Sequence, residues 1–156
     1  MKVSLLTLGH KMPDWVNVAF QTYNNRLPNH LKLHIHELSA VARQKGLSVA
    51  QIKSKEAALL NQHLNPGNIN IALDEGGQLV STAQWAKHLK NWQMEGQDVN
   101  LMVGGADGLD HSIKQAAHQV WSLSALTFPH QLVKVIVAEQ MYRAHSLLNN
   151  HPYHRE

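Results

Sequence analysis

The sequence predicts an α/β fold: a mainly parallel sheet with helices on both faces. Three observations point there. Short apolar strands alternate with helical patterns along the chain, in the order β-α-β-α-β-α-β-α-β-α. Residues 99–103 (VNLMV) form an almost continuous apolar run, the kind buried on both faces of a parallel sheet. Two capping boxes, Ser48 with Gln51 and Ser81 with Gln84, mark helix starts between strands.

Each element has its own warrant. Residues 2–8 (KVSLLTL) read as a strand, and Pro13 then suits the start of a helix carrying Val16, Phe20 and Tyr23 at helical spacing. Residues 31–38 (LKLHIHEL) alternate apolar and polar, as a half-buried strand does. The first capping box opens a helix to about His63. Residues 68–73 (NINIAL) are a short strand, and Asp74-Glu75-Gly76-Gly77 is a turn. The second capping box opens a helix to about Glu95, with Gly96 as its C′ residue. A loop at residues 104–108 follows the apolar run, and a further helix begins near Asp110. Residues 120–126 are a strand or an extended loop. Pro129 begins a last helix with Leu132, Val135, Ile136, Glu139, Tyr142 and Arg143 spaced three or four apart.

Composition narrows the chemistry. The 156 residues, 44% hydrophobic, suit one domain over residues 1–156. The absence of Cys excludes disulfide scaffolds, thiolate metal sites and thiol nucleophiles. No apolar run approaches the ~18 residues of a membrane span, and no signal peptide survives inspection, so a cytoplasmic protein without a membrane partner is expected. The formal charge of +3 is unevenly placed. Residues 1–60 hold eight Lys and Arg against three Asp and Glu; residues 61–128 hold three against six. Arg43, Lys45, Lys53 and Lys55 are the densest basic group, and therefore candidate phosphate contacts. Their plain alternative is a solvated helix face. The twelve His scatter without converging ligand spacing, so no metal site is expected.

In a parallel sheet, ligands sit beyond the carboxyl ends of the strands. That rim collects Leu73, Gly104 and the stretch Leu123, Ser124, Ala125, Leu126, Thr127 and Phe128. Glycines directly after a buried strand allow close backbone approach to a ligand, although Gly104-Gly105-Ala106-Asp107-Gly108 reads equally as a tight turn. It is neither a dinucleotide fingerprint nor a P-loop. The 123–128 stretch could offer backbone polar groups to a flat ring, or simply lead into the last helix. Glu139 and Arg143 are four apart and suit an ion pair. The tail, residues 149–156, concentrates two His, a Tyr and an Arg around Pro152.

Five segments in order carry a family resemblance. They are Leu73-Asp74-Glu75-Gly76-Gly77, Val103-Gly104-Gly105-Ala106-Asp107-Gly108, Trp121-Ser122-Leu123-Ser124-Ala125-Leu126-Thr127, Ala138-Glu139-Gln140-Met141-Tyr142-Arg143-Ala144 and the tail His151-Pro152-Tyr153-His154-Arg155-Glu156. With these the chain resembles the ribosomal RNA large subunit methyltransferase H family, the pseudouridine N3-methyltransferases of the SPOUT class. The resemblance spans the whole length.

The resemblance implies a homodimer whose C-terminal part forms a trefoil knot, with S-adenosyl-L-methionine as methyl donor. It implies Leu73, Gly104 and Leu123 through Phe128 as cofactor contacts. The implied substrate is a pseudouridine of large-subunit rRNA, methylated at N3 on the assembled ribosome. For catalysis, His154 is expected to assist loss of the N3 proton, since a histidine's ordinary pKa lies near neutrality. Tyr153 is expected to stack on or hydrogen-bond the base. Arg155 and Arg143 are expected to stabilise charge or hold phosphate, and Glu139 to orient one of these groups. The competing readings are a non-catalytic RNA- or ribosome-binding module and a related methyltransferase acting on transfer RNA.

Overall fold

The computed structural model describes residues 1–39 and 46–155. Arg43 and Lys45 therefore lie outside the described residues. Five strands are seen there: β1 (Val3–Leu8), β2 (Leu33–Leu38), β3 (Ile69–Leu79), β4 (Val99–Val103) and β5 (Gln119–Ser122). They form one sheet in the order β2-β1-β4-β3-β5, and every pairing is parallel. The helices are α1 (Asp14–Asn24), α2 (Val49–Asn61), α3 (Thr82–Glu95), α4 (His111–Ala116) and α5 (His130–Leu148).

Side-chain alternation along the strands divides the core in two. Val3, Leu5, Leu33, Ile71 and Leu101 point to the face covered by α1, α3 and α5, which bring Phe20, Trp85, Leu89, Trp92, Val137 and Met141. Leu6, Leu8, Ala72 and Met102 point to the other face, where Ala57 and Leu60 of α2 and Ile113 of α4 meet them. Central β1 and β4 are buried along their whole length, as continuous apolar runs require. Trp121 of β5 packs against Trp85 and Trp92 with ring centroids 5.3 and 6.0 Å apart, tying the sheet edge to α3.

The local signals operate as read. Both capping boxes are closed in both directions, Ser48 with Gln51 and Ser81 with Gln84. Gly96 ends α3 with φ 66°, a left-handed conformation that glycine adopts at little cost. Asn24 of α1 bonds both backbone groups of Leu33, fixing α1 to the start of β2.

Three boundaries differ from the sequence reading. Leu31 belongs to a 3-10 turn (Asn29–Leu31) set up by Pro28, so β2 starts two residues later. The expected turn at residues 74–77 is a bulge inside β3. Both Leu73 and Gln78 pair with Trp121, and the residues between leave the ladder. Gly77 permits this, because a Cβ there would sit 2.6 Å from the Val120 carbonyl oxygen. Finally, β5 stops at Ser122, and residues 123–128 are loop.

Candidate active site

Register places the rim. Leu73 pairs with Val103 on one side and with Trp121 on the other. The residues following these partners, Asp74, Gly104 and Ser122, therefore lie side by side. They line a cleft of about 210 Å³ together with Leu73, Glu75, Val103, Gly105, Gly108, Leu123, Ser124, Leu126, Thr127, Phe128, His130 and Val133. Of the cofactor candidates, Leu73, Gly104, Leu123, Ser124, Leu126, Thr127 and Phe128 are brought together; Ala125 is exposed and does not line the cleft.

The lining has two chemical characters. Leu73, Val103, Leu123, Leu126, Phe128 and Val133 supply apolar walls suited to a flat ring. Asp74 and Glu75 supply carboxylates able to accept from hydroxyl groups or to face a cation. Both are held in place. Asp74 accepts from the Gly76 N–H at 3.0 Å and lies 3.7 Å from the Lys114 ammonium. Glu75 accepts from the Thr127 hydroxyl at 3.0 Å, joining the β3 bulge to the 123–128 loop. The loop is further shaped by Ser122 and Ser124: the Ser122 hydroxyl donates to the Ser124 carbonyl, and the Ser124 hydroxyl accepts from the Leu126 N–H. The backbone N–H groups of Ala125, Thr127 and Phe128 meet no backbone acceptor among the described residues.

Gly104 and Gly108 close the floor. A Cβ on Gly104 would meet the backbone of Gly108 and lie 2.6 Å from the Leu109 nitrogen, and Gly108 has φ 80°. The glycine spacing is thus a packing requirement of this loop.

Sequence reasoning missed Asp74, Glu75, His130 and Val133 as lining residues. The acids belong to the Leu73–Gly77 segment, whose composition predicts only a turn. His130 and Val133 enter because α5 begins directly at the cleft. Burial and the charges of Lys134 and His10 lower the His130 pKa, which favours its neutral form.

A second cluster forms on α5 and the tail. Glu139 Oε1 accepts from Arg143 Nε at 2.8 Å, from Arg143 Nη2 at 2.7 Å and from the Tyr153 hydroxyl at 2.9 Å. Glu139 Oε2 accepts from Gln140 at 2.7 Å. The Arg143 guanidinium also stacks 4.7 Å above the Tyr153 ring and reaches His154 Nδ1 at 3.3 Å. An arginine nitrogen can only donate, so His154 Nδ1 is the acceptor and the neutral ring carries its proton on Nε2. Desolvation and the Glu139 bond push the Tyr153 hydroxyl up to about 12, so it remains a donor at neutral pH. The Glu139 bond also raises the Arg143 pKa.

Four of the five catalytic candidates are therefore in mutual contact. Arg155 is not one of them. It is exposed, and its Nε donates to the Pro152 carbonyl at 3.3 Å. Lys53 and Lys55 lie on α2, but residues two apart on a helix do not share a face. Lys53 instead acts electrostatically on Asp110, the N-cap of α4.

The cluster and the cleft are separate within one chain. Val133 and Glu139 are six residues apart on α5, about 9 Å along the axis, and project on different sides of it. Among the described residues, no group of three or more His, Asp or Glu could hold a metal ion.

Known proteins share both the sequence and the fold. A family profile described as Predicted SPOUT methyltransferase matches residues 1–154. The protein named Ribosomal RNA large subunit methyltransferase H from Thioalkalivibrio sulfidiphilus (strain HL-EbGR7) is 46% identical over 156 residues, covering all of both chains. Its namesake from Hydrogenovibrio crunogenus (strain DSM 25203 / XCL-2) is 48% identical, again over both whole chains. Among solved structures, a probable methylase family protein from Haemophilus influenzae Rd KW20 aligns with a TM-score of 0.58 and 11% identity, covering 99% of this chain and 70% of the other. A probable methyltransferase from Bordetella pertussis Tohama I aligns with a TM-score of 0.54 and 14% identity, covering 92% and 95%.

Proposed function

Because this chain belongs to the SPOUT methyltransferase family, we propose that it methylates N3 of a pseudouridine in large-subunit rRNA, with the assembled ribosome as substrate. The full-length identity to two proteins named for large-subunit rRNA methylation carries the substrate assignment. The cleft carries the cofactor assignment. Its apolar walls suit an adenine ring, and its carboxylates suit ribose hydroxyls and a cationic sulfonium. Leu73, Gly104, Leu123, Leu126 and Phe128 would hold S-adenosyl-L-methionine, with Asp74 and Glu75 at its polar groups. When bound, this cofactor supplies an activated methyl group.

The chain's own residues manage the acidic imide. N3 must lose a proton, and the resulting charge spreads onto the flanking carbonyl oxygens. Arg143 and the Nε2–H of His154 are donors that stabilise that charge and so ease proton loss to solvent. His154 thus assists by donating, not by taking the proton. Glu139 is saturated by three donors on one oxygen and one on the other. It is a positioning residue. Tyr153, held as a neutral phenol, offers its ring to the base.

A homodimer reconciles the two separated sites. A cleft of about 210 Å³ is small against the roughly 300–1,000 Å³ usual for such ligands. In the dimer a partner subunit would cover the open side and present its tail to the cleft. We also read the 123–128 loop and α5 as the threaded segment of a trefoil knot. Among the described residues no helix is long and apolar enough to cross a membrane; a cytoplasmic location follows from the ribosomal substrate.

Transfer of tritiated methyl to whole ribosomes, isolated subunits and transfer RNA tests this reading. Ribosomes should be labelled by the intact chain and not by one lacking residues 153–156. Labelling of transfer RNA alone, or full activity without the tail, would overturn it.

A further inference from the structure

Beside the Glu139 cluster lies a group of cationic and protonatable side chains that the methyl-transfer chemistry does not use. Arg26 stands one turn beyond Tyr23, just past the end of α1. Its guanidinium lies 5.5 Å from the Tyr23 ring centroid and 5.7 Å from that of Tyr142. Tyr142 packs 4.7 Å from Tyr153 and meets His151 edge-on at 6.3 Å. His145, one turn along α5 from Tyr142, lies close enough to His30 and His151 for their charges to act on it. Arg26, His30 and His151 are exposed, and His145 is half-buried. Four chain segments thus converge here: the end of α1, the 3-10 turn, the end of α5 and the tail.

We propose that Arg26, His30, His145 and His151 form an RNA-backbone contact surface continuous with the Glu139–Tyr153 cluster. The proposal rests on the reading of this chain as an rRNA methyltransferase. Cations interleaved with aromatic rings match single-stranded and loop RNA, whose phosphates take the charges and whose bases take the ring faces. Arg26 lies within cation–π reach of two tyrosine rings, which hold it by contacts that do not neutralise its charge.

The surface responds to pH. Burial, then His30, then His151, disfavours protonated His145 in the free protein. On its own stretch of chain Asn149 contacts His145 Nδ1 at 3.1 Å. None of these groups is an acid. A phosphate brought among these groups would favour the protonated imidazole, so RNA binding takes up protons and tightens as pH falls from 8 toward 6.

The test measures binding of the full chain to 70S ribosomes and to a protein-free transcript of large-subunit rRNA, across salt and across pH 6–8. Arg26→Gln should reduce the slope of log affinity against log salt by about one, and Arg26→Lys should retain it. The double variant His30→Gln with His145→Gln should lose most of the acid-side tightening. Affinity for S-adenosyl-L-methionine by calorimetry should stay within about twofold for all three, which also reports that they fold. Wild-type salt slope and pH response in both Gln variants would overturn the proposal while leaving the methyltransferase reading intact. Weakened binding to ribosomes with unchanged binding to the transcript would assign the surface to a ribosomal protein, and equally overturn it. Failure of the wild-type chain to bind or methylate ribosomes would strike the underlying reading instead.

Discussion

The Tyr153 hydroxyl donates to Glu139 Oε1 at 2.9 Å, fastening the tail to the middle of α5. This bond helps to hold the tail where His154 meets Arg143. Arg143 bridges the same carboxylate to the His154 ring, so one acidic residue organises three groups from two segments of chain.

Tyr153→Phe removes that bond and keeps the ring. Hydrogen bonds to charged groups contribute roughly 1.5–3 kcal/mol. We expect methyl transfer to ribosomes to fall on the order of tenfold or more, with cofactor affinity in the cleft little changed. Parallel tritium-transfer and calorimetric measurements check both halves; unchanged transfer would remove Tyr153 from the site.

Alkaline titration isolates the same residue. The Tyr153 hydroxyl is pushed up to about 12 in the folded chain, above its ordinary value near 10. The folded state therefore holds this proton more tightly than the unfolded chain. Its contribution to stability is fully present below pH 10 and disappears as pH rises toward 12. The phenolate absorbance of the folded protein should show one late step, and Tyr153→Phe should abolish it.

Gly104→Ala places a methyl group against the backbone of Gly108 and Leu109. Backbone cannot yield as a flexible side chain can, so the 104–108 loop must shift. Overpacking of this kind costs typically 1–3 kcal/mol. A lower melting temperature together with at least tenfold weaker cofactor binding is expected. Wild-type calorimetry from this variant would show that the loop does not floor the cofactor site.

Acid should destabilise the protein early. His36, His88, His130 and His145 all have pKa values lowered first by burial. On acidification through about pH 6.5 the unfolded chain takes up these protons before the folded chain does. Stability is therefore full above that value and falls below it. Thermal unfolding from pH 7.5 to 5 should show a falling midpoint, and His130→Gln should flatten the slope; a midpoint independent of pH would contradict the burial of these rings.

Lys134 is buried at 1% exposure, 3.6 Å from Glu37, and donates to the His10 carbonyl at 3.2 Å. Glu37 also accepts from the Met12 N–H at 2.8 Å. Lys134→Met removes one partner of this latch between α5 and the loop after β1. A loss of about 3–5 kcal/mol is expected from denaturant unfolding, and restoring partial stability by adding Glu37→Gln would identify the unpaired carboxylate as the cause.

Much of the fold was legible because its signals are local. Ser48 and Ser81 bond to glutamines three residues on, and Gly96 takes its left-handed turn, whatever the rest of the chain does. The rim residues were legible for a topological reason: parallel strands deliver their carboxyl ends to one edge. The Asp74–Gly77 bulge was not legible as strand. Its residues are turn formers, and only the return of β5 across Gly77 continues the pairing to Leu79. Nor could spacing reveal that Ala125 turns away from the cleft and Arg155 away from the cluster.

The sequence by itself determined the order of strands and helices, the two helix caps, the glycine loop and the residues eligible for the site. Each depends on neighbours within a few positions or on side-chain alternation. The tertiary structure alone decided that Tyr153 meets Glu139 and that Arg26, from near residue 25, stands beside Tyr142 and His151. The first joins residues 14 apart across the end of α5 and the second residues more than a hundred apart, and the packing of α1 against α5 across a shared core fixes what no local preference can.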